Sequence, residues 1–135
     1  DFQKITKRIE ELGVQDSFKL LGTKLNPYPY VKNADFYVMP SESEGWPLII
    51  AETLILQKPS IATNTGDVST MLDDGKTGIL INYDEGEMYN AMKEFLTNES
   101  LVSEIKKNLK DIENEFDNQK IFDEVEEIIT NLAKN

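Results

Sequence analysis

The chain has 135 residues, one domain's worth, with 39% apolar and 29% charged residues, the balance of a globular protein rather than a disordered one. It contains no cysteine and no histidine, which excludes disulfides, thiolate metal sites and cysteine nucleophiles and removes the commonest general base near neutral pH. The net charge of −11 argues against nucleic acid or an anionic membrane as the direct partner of this segment. No apolar run approaches the roughly 20 residues that a bilayer span needs.

Repeats and low-complexity stretches are absent, and the hydrophobic period instead switches along the chain. Phe2, Ile5, Ile9 and Leu12 recur at helical spacing and Gly13 supplies a stop. Residues 17–21 read as a short strand ending at Gly22. Residues 26–33, with Pro27 and Pro29, read as a turn leading into a short helix. The run 35–39, closed by Pro40, predicts a strand buried on both faces. A polar loop follows over 41–46, then a helix over 47–56 with Pro47 near its first position. Strands are expected at 59–63 and 77–81, separated by a short helix at 67–72 and a turn at 73–75. Helices then cover roughly 84–96, 101–116 and 121–132.

Short apolar strands alternating with helices imply an α/β fold with a parallel, Rossmann-like sheet flanked by helices and ending in C-terminal helices. Such sheets bind ligands at the carboxyl ends of their strands, which directs attention to the loops after Leu21, Met39 and Thr63. The chain opens inside the first turn of a helix, without the strand that begins most doubly wound sheets. One domain lacking its first strand or strands, over 1–135, is therefore expected.

The most informative stretch runs from Pro40 to Glu52. It leaves a strand and opens a helix, where the first amides have no intrahelical acceptor and the dipole favours an anion. Gly45 lets the backbone approach a ligand closely. Glu44 precedes the helix and can accept from sugar hydroxyls. Glu52, about five residues into the helix, can hold a second polar group such as a ribose diol. Taken singly, each glutamate is better explained by a solvated loop or helix face; it is their occurrence together in a strand–loop–helix context that favours a ligand role. Trp46 could stack on a ligand or serve as a partly buried anchor. Tyr28 and Tyr30 read as packing residues, and Asp73 and Asp74 as turn chemistry rather than a metal site.

Glu44 and Glu52 enclose seven residues, and the pattern resembles the E-x7-E of retaining glycosyltransferases with the GT-B fold, the GT4 family or glycosyl transferases group 1. The likeness extends to a Leu-Gly strand end at Leu21-Gly22 and a Tyr-x-x-Ala-Asp-x-x-Val-x-Pro-like stretch around Ala34, Asp35, Val38 and Pro40. It continues through Lys58-Pro59, with Gln57 where the family has Gly, and the turn Asp74-Gly75-Lys76-Thr77-Gly78. Where the family often has Gly-Gly-x-x-Glu, this sequence has Gly66-Asp67-Val68-Ser69-Thr70, so no ligand role is assigned to Asp67 or Thr70.

The resemblance implies the C-terminal, donor-binding half of a GT-B enzyme that moves a sugar from a nucleoside-diphosphate sugar to a glycan or lipid acceptor. Glu44 would be the catalytic residue facing the donor sugar. Gly45, Trp46, Pro47, Leu48 and Ile49 would line the sugar and diphosphate, Glu52 the ribose, and Leu21 and Gly22 the base. Neither metal nor cofactor is implied. The phosphate-neutralising Arg and Lys and the acceptor-binding N-terminal domain would lie upstream of Asp1. The implied location is cytoplasmic, at the inner face of the membrane through that other half, with no membrane insertion and no nucleic acid contact by this segment. A sugar-nucleotide epimerase and a non-catalytic sugar-nucleotide-binding domain are the alternatives.

Overall fold

The computed structural model describes residues 2–112. Ten short elements follow one another: α1 (Phe2–Leu12), α2 (Tyr28–Asn33), β1 (Tyr37–Met39), α3 (Leu48–Ile55), β2 (Ser60–Thr63), α4 (Val68–Met71), a 3₁₀ turn (Asp73–Gly75), β3 (Gly78–Ile81), α5 (Glu85–Thr97) and α6 (Glu99–Ile112). The three strands form one parallel sheet in the order β1-β2-β3. Val38 pairs with Ile61, and Ile61 with Ile79. Because parallel neighbours need a crossover, each pair is joined through helix: α3 between β1 and β2, and α4 with the 3₁₀ turn between β2 and β3.

The core follows from this order. β2 is central and all four of its residues are buried. Ile61 and Ala62 pack with Ile50 and Leu54 of α3, Val68 and Met71 of α4, Ala91 and Phe95 of α5, and Ile105 and Leu109 of α6. Phe36, just before β1, meets Phe95 edge to face, with ring centroids 5.1 Å apart. The buried hydroxyls of β2 are satisfied locally: Ser60 donates to Thr53 Oγ1 at 3.0 Å, and Thr53 donates to the Ile50 carbonyl at 2.8 Å.

The expected α/β architecture is present, with two corrections. Residues 17–21 form no strand. A strand exists only as half of a ladder, and among the described residues no strand pairs with this segment, so Phe18 and Leu21 remain exposed. The strand at 35–39 is shorter than expected and buried on both faces only at Met39, because β1 pairs on one side alone among the described residues. The helix expected at 121–132 and the end of that expected at 101–116 lie outside the described residues. No helix among the described residues is long and apolar enough to cross a membrane.

Candidate donor-binding site

The loops leaving β1 and β2 are tied together at the carboxyl end of the sheet. Thr63, the last residue of β2, donates to the Ser41 carbonyl at 2.5 Å. Two residues further on, Thr65 Oγ1 accepts from the Glu44 amide at 3.3 Å, and the Asp67 amide donates to the Gly45 carbonyl at 3.0 Å. Between these bonds Gly66 adopts φ +54°, and a Cβ there would stand 2.2 Å from the Glu44 carbonyl oxygen and 2.4 Å from that of Gly45. Only glycine meets both demands. The Thr65-Gly66-Asp67 turn thus holds the backbone of Glu44 and Gly45, and leaves the Glu44 side chain part-buried.

Pro47 is buried and extended (φ −72°, ψ 109°), and α3 starts immediately after it. No side chain caps this helix, in contrast to α5, where Asp84 accepts from the Glu87 amide at 2.9 Å. The first amides of α3, those of Leu48 and Ile49, have no intrahelical acceptor, and no side-chain cap at Pro47 takes them up. Leu48 is exposed, and Ile49 packs partly on the core.

Glu52 is half-buried on α3 and its Oε1 accepts a hydrogen bond from the Tyr28 hydroxyl at 3.0 Å. Tyr28 is 46% exposed, so it is a polar partner rather than the packing residue expected from sequence. That bond, and secondarily the carboxylate's charge, hold the Tyr28 phenol above its ordinary 10.0. Tyr37 of β1 lies within the fields of both glutamates. Burial, then Glu52, then Glu44 push its phenol up in the same direction. Both glutamates thus act electrostatically on a half-buried tyrosine of β1.

The other expected site residues are distributed differently. Trp46 is 57% exposed and lines a cleft of about 440 Å³ with Ala51, Leu54, Thr70 and Met71. That cleft shares no lining residue with the smaller one, about 280 Å³, formed by Tyr28, Glu52, Ile55 and Leu56. Leu21 and Gly22 sit in the irregular, exposed segment before α2. Sequence reasoning missed Thr65, Gly66 and Tyr37. A glycine three residues beyond a buried strand was a usable signal for the second of these.

The family model for glycosyl transferases group 1 matches residues 2–98. The chain belongs to this family. Across 96% of its length it is 27% identical to an uncharacterized glycosyltransferase of Methanocaldococcus jannaschii, of which it covers 39%. Across 84% it is 28% identical to the N-acetylgalactosamine-N,N'-diacetylbacillosaminyl-diphospho-undecaprenol 4-alpha-N-acetylgalactosaminyltransferase of Campylobacter jejuni, of which it covers 32%. The chain thus spans between about a third and two-fifths of the length of these relatives. Among solved structures it superimposes on HepE of Anabaena in complex with UDP, with a TM-score of 0.83 at 21% identity over 96% of this chain and 36% of that one. It also superimposes on sucrose-phosphate synthase of Thermosynechococcus elongatus, with a TM-score of 0.80 at 20% identity over 98% of this chain and 35% of that one. These likenesses give it the fold of one Rossmann-like half of a GT-B protein.

Proposed function

We propose that this group 1 chain supplies the donor-binding wall of a retaining glycosyltransferase of the GT4 type, one that moves a sugar from a nucleoside-diphosphate sugar to a glycan or lipid acceptor. The observation that carries the reading is the uncapped start of α3, between Glu44 and Glu52 in sequence, behind the turn at Gly66 that holds the Glu44 backbone. In this reading Glu52 accepts from the ribose hydroxyls. The amides of Leu48 and Ile49 face the diphosphate, whose developing charge they stabilise as it leaves. Glu44 orients the donor sugar through its hydroxyls and is not a covalent nucleophile. Gly45, Trp46 and Pro47 contribute backbone along the sugar, and Leu21 and Gly22 border the base. In this reading the Arg and Lys that neutralise the diphosphate come from sequence upstream of Asp1, the acceptor site belongs to an N-terminal domain of the whole enzyme, and no metal or cofactor takes part. HepE, solved with UDP, and the Campylobacter relative, named for transfer to a diphospho-undecaprenol-linked sugar, support a sugar-nucleotide donor and a polysaccharide or glycolipid acceptor.

The test is turnover by the full-length enzyme. Nucleoside diphosphate is released when acceptor is added and not before, which separates a transferase from an epimerase. Glu44→Gln lowers that turnover by about a hundredfold, the scale of losing one interaction made in the transition state. Normal turnover by the variant removes Glu44 from the donor site.

A further inference from the structure

Tyr28 is held with more care than a surface tyrosine needs. Pro27 and Pro29 restrict the backbone on either side of it. The side chain of Asn26 accepts from the Tyr28 amide at 3.2 Å, which fixes the first turn of α2. At the other end of that helix the Lys58 ammonium donates to the Ala34 carbonyl, tying α2 to the turn that follows α3. The result sets the phenol of α2 against the carboxylate of α3 across 24 residues of sequence. The pair forms one wall of a small cleft whose remaining lining, Ile55 and Leu56, is apolar.

We infer that Tyr28 is a positioning residue for Glu52: its hydroxyl occupies Oε1 and presents Oε2 to the vicinal 2′,3′-diol of the donor's ribose, so that Tyr28 governs how strongly the site prefers ribo- over 2′-deoxyribonucleotides. This rests on the ribose role proposed for Glu52. A carboxylate has about four lone-pair positions, so one tyrosine leaves enough for two ribose hydroxyls. A glutamate on a helix surface otherwise samples several rotamers, and ordering it costs binding free energy. With the carboxylate already anchored, less of that ordering remains when the nucleotide arrives. Ile55 and Leu56 offer no hydrogen-bond partner if the diol loses a hydroxyl, so the freed carboxylate oxygen must exchange a ribose hydroxyl for water.

Isothermal titration calorimetry of the full-length enzyme with UDP and 2′-deoxy-UDP tests this in the wild type, Tyr28→Phe, Glu52→Ala and the double variant. The exposed ring is retained in Tyr28→Phe, and a thermal melt checks its folding. Tyr28→Phe is expected to weaken UDP by about three- to tenfold, the scale of one hydrogen bond to a charged group acting indirectly. It should weaken 2′-deoxy-UDP less, so that the preference between them narrows. The double variant should bind UDP as Glu52→Ala does, since the two residues act as one unit. Unchanged UDP binding by Tyr28→Phe beside a weakened Glu52→Ala overturns this inference and leaves the ribose role of Glu52 standing. Equal weakening of both nucleotides by Tyr28→Phe overturns it as well. Unchanged binding by Glu52→Ala overturns the ribose role, and the positioning role with it.

Discussion

Gly66 lies directly against the backbone of Glu44, so close that the smallest side chain at Gly66 would stand 2.2 Å from the Glu44 carbonyl oxygen. The two residues come from different strand–helix connections, and their contact joins the loop after β1 to the loop after β2. It makes the position of a proposed sugar-binding carboxylate depend on a residue 22 positions away that itself carries no chemistry.

Gly66→Ala is therefore expected to act on both stability and function. The left-handed backbone alone costs an alanine about 1–2 kcal/mol, and relief of the clash must push the Glu44-Gly45 loop outward. Urea denaturation should show a loss of about 2–3 kcal/mol, within the range for strain at a special backbone conformation. Donor turnover should fall by more than that stability loss explains. A variant as stable as the wild type contradicts the packing described.

Gln57 makes the opposite prediction. It ends the turn after α3 at φ +51°, in the place where the related pattern has glycine. A non-glycine residue there is strained by about 1–2 kcal/mol, against a backbone-entropy cost for glycine of about 0.5–1 kcal/mol. On backbone strain alone Gln57→Gly gains up to about 1 kcal/mol, less whatever the interactions of the Gln57 side chain contribute. A measured loss of stability means that interactions of the Gln57 side chain outweigh the strain.

Tyr37 links the site to pH. Burial, Glu52 and Glu44 raise its folded-state pKa above the ordinary 10.0. The folded state then holds a proton that the unfolded chain has released. This contribution to stability is fully present below pH 10.0 and is lost as pH rises through the higher folded value. Denaturation midpoints of the wild type should fall with rising pH above that point. Tyr37→Phe should remove that part of the slope while leaving neutral-pH midpoints little changed. Equal slopes in both proteins contradict the upward shift of the Tyr37 phenol by burial and the two carboxylates.

Elements whose signal is local were readable from sequence. The central strand β2 is a short β-prone run bounded by Pro59 and Asn64, and α5 begins directly after Asp84, whose side chain caps it. The strand–loop–helix around Glu44 and Glu52 was readable for the same reason. Features that depend on a distant partner were not. Residues 17–21 have strand composition, yet a strand also needs a neighbour, and period alone does not supply one. Tyr28 looked like packing because nothing near it in sequence reveals Glu52, 24 residues on. Trp46 sits in the motif, but it lines a cleft with Ala51, Leu54, Thr70 and Met71 that shares no residue with the cleft at Glu52, and its partners from α4 are more than twenty residues away in sequence.

The central claim is that the wall around Glu44, the start of α3 and Glu52 holds a nucleoside-diphosphate sugar. Calorimetric titration of the full-length protein with UDP-, GDP- and ADP-sugars tests it most directly. One of the three should bind, and Glu52→Ala should weaken it by more than about tenfold, the scale of losing hydrogen bonds to a charged group. Binding of none of the three would contradict the account.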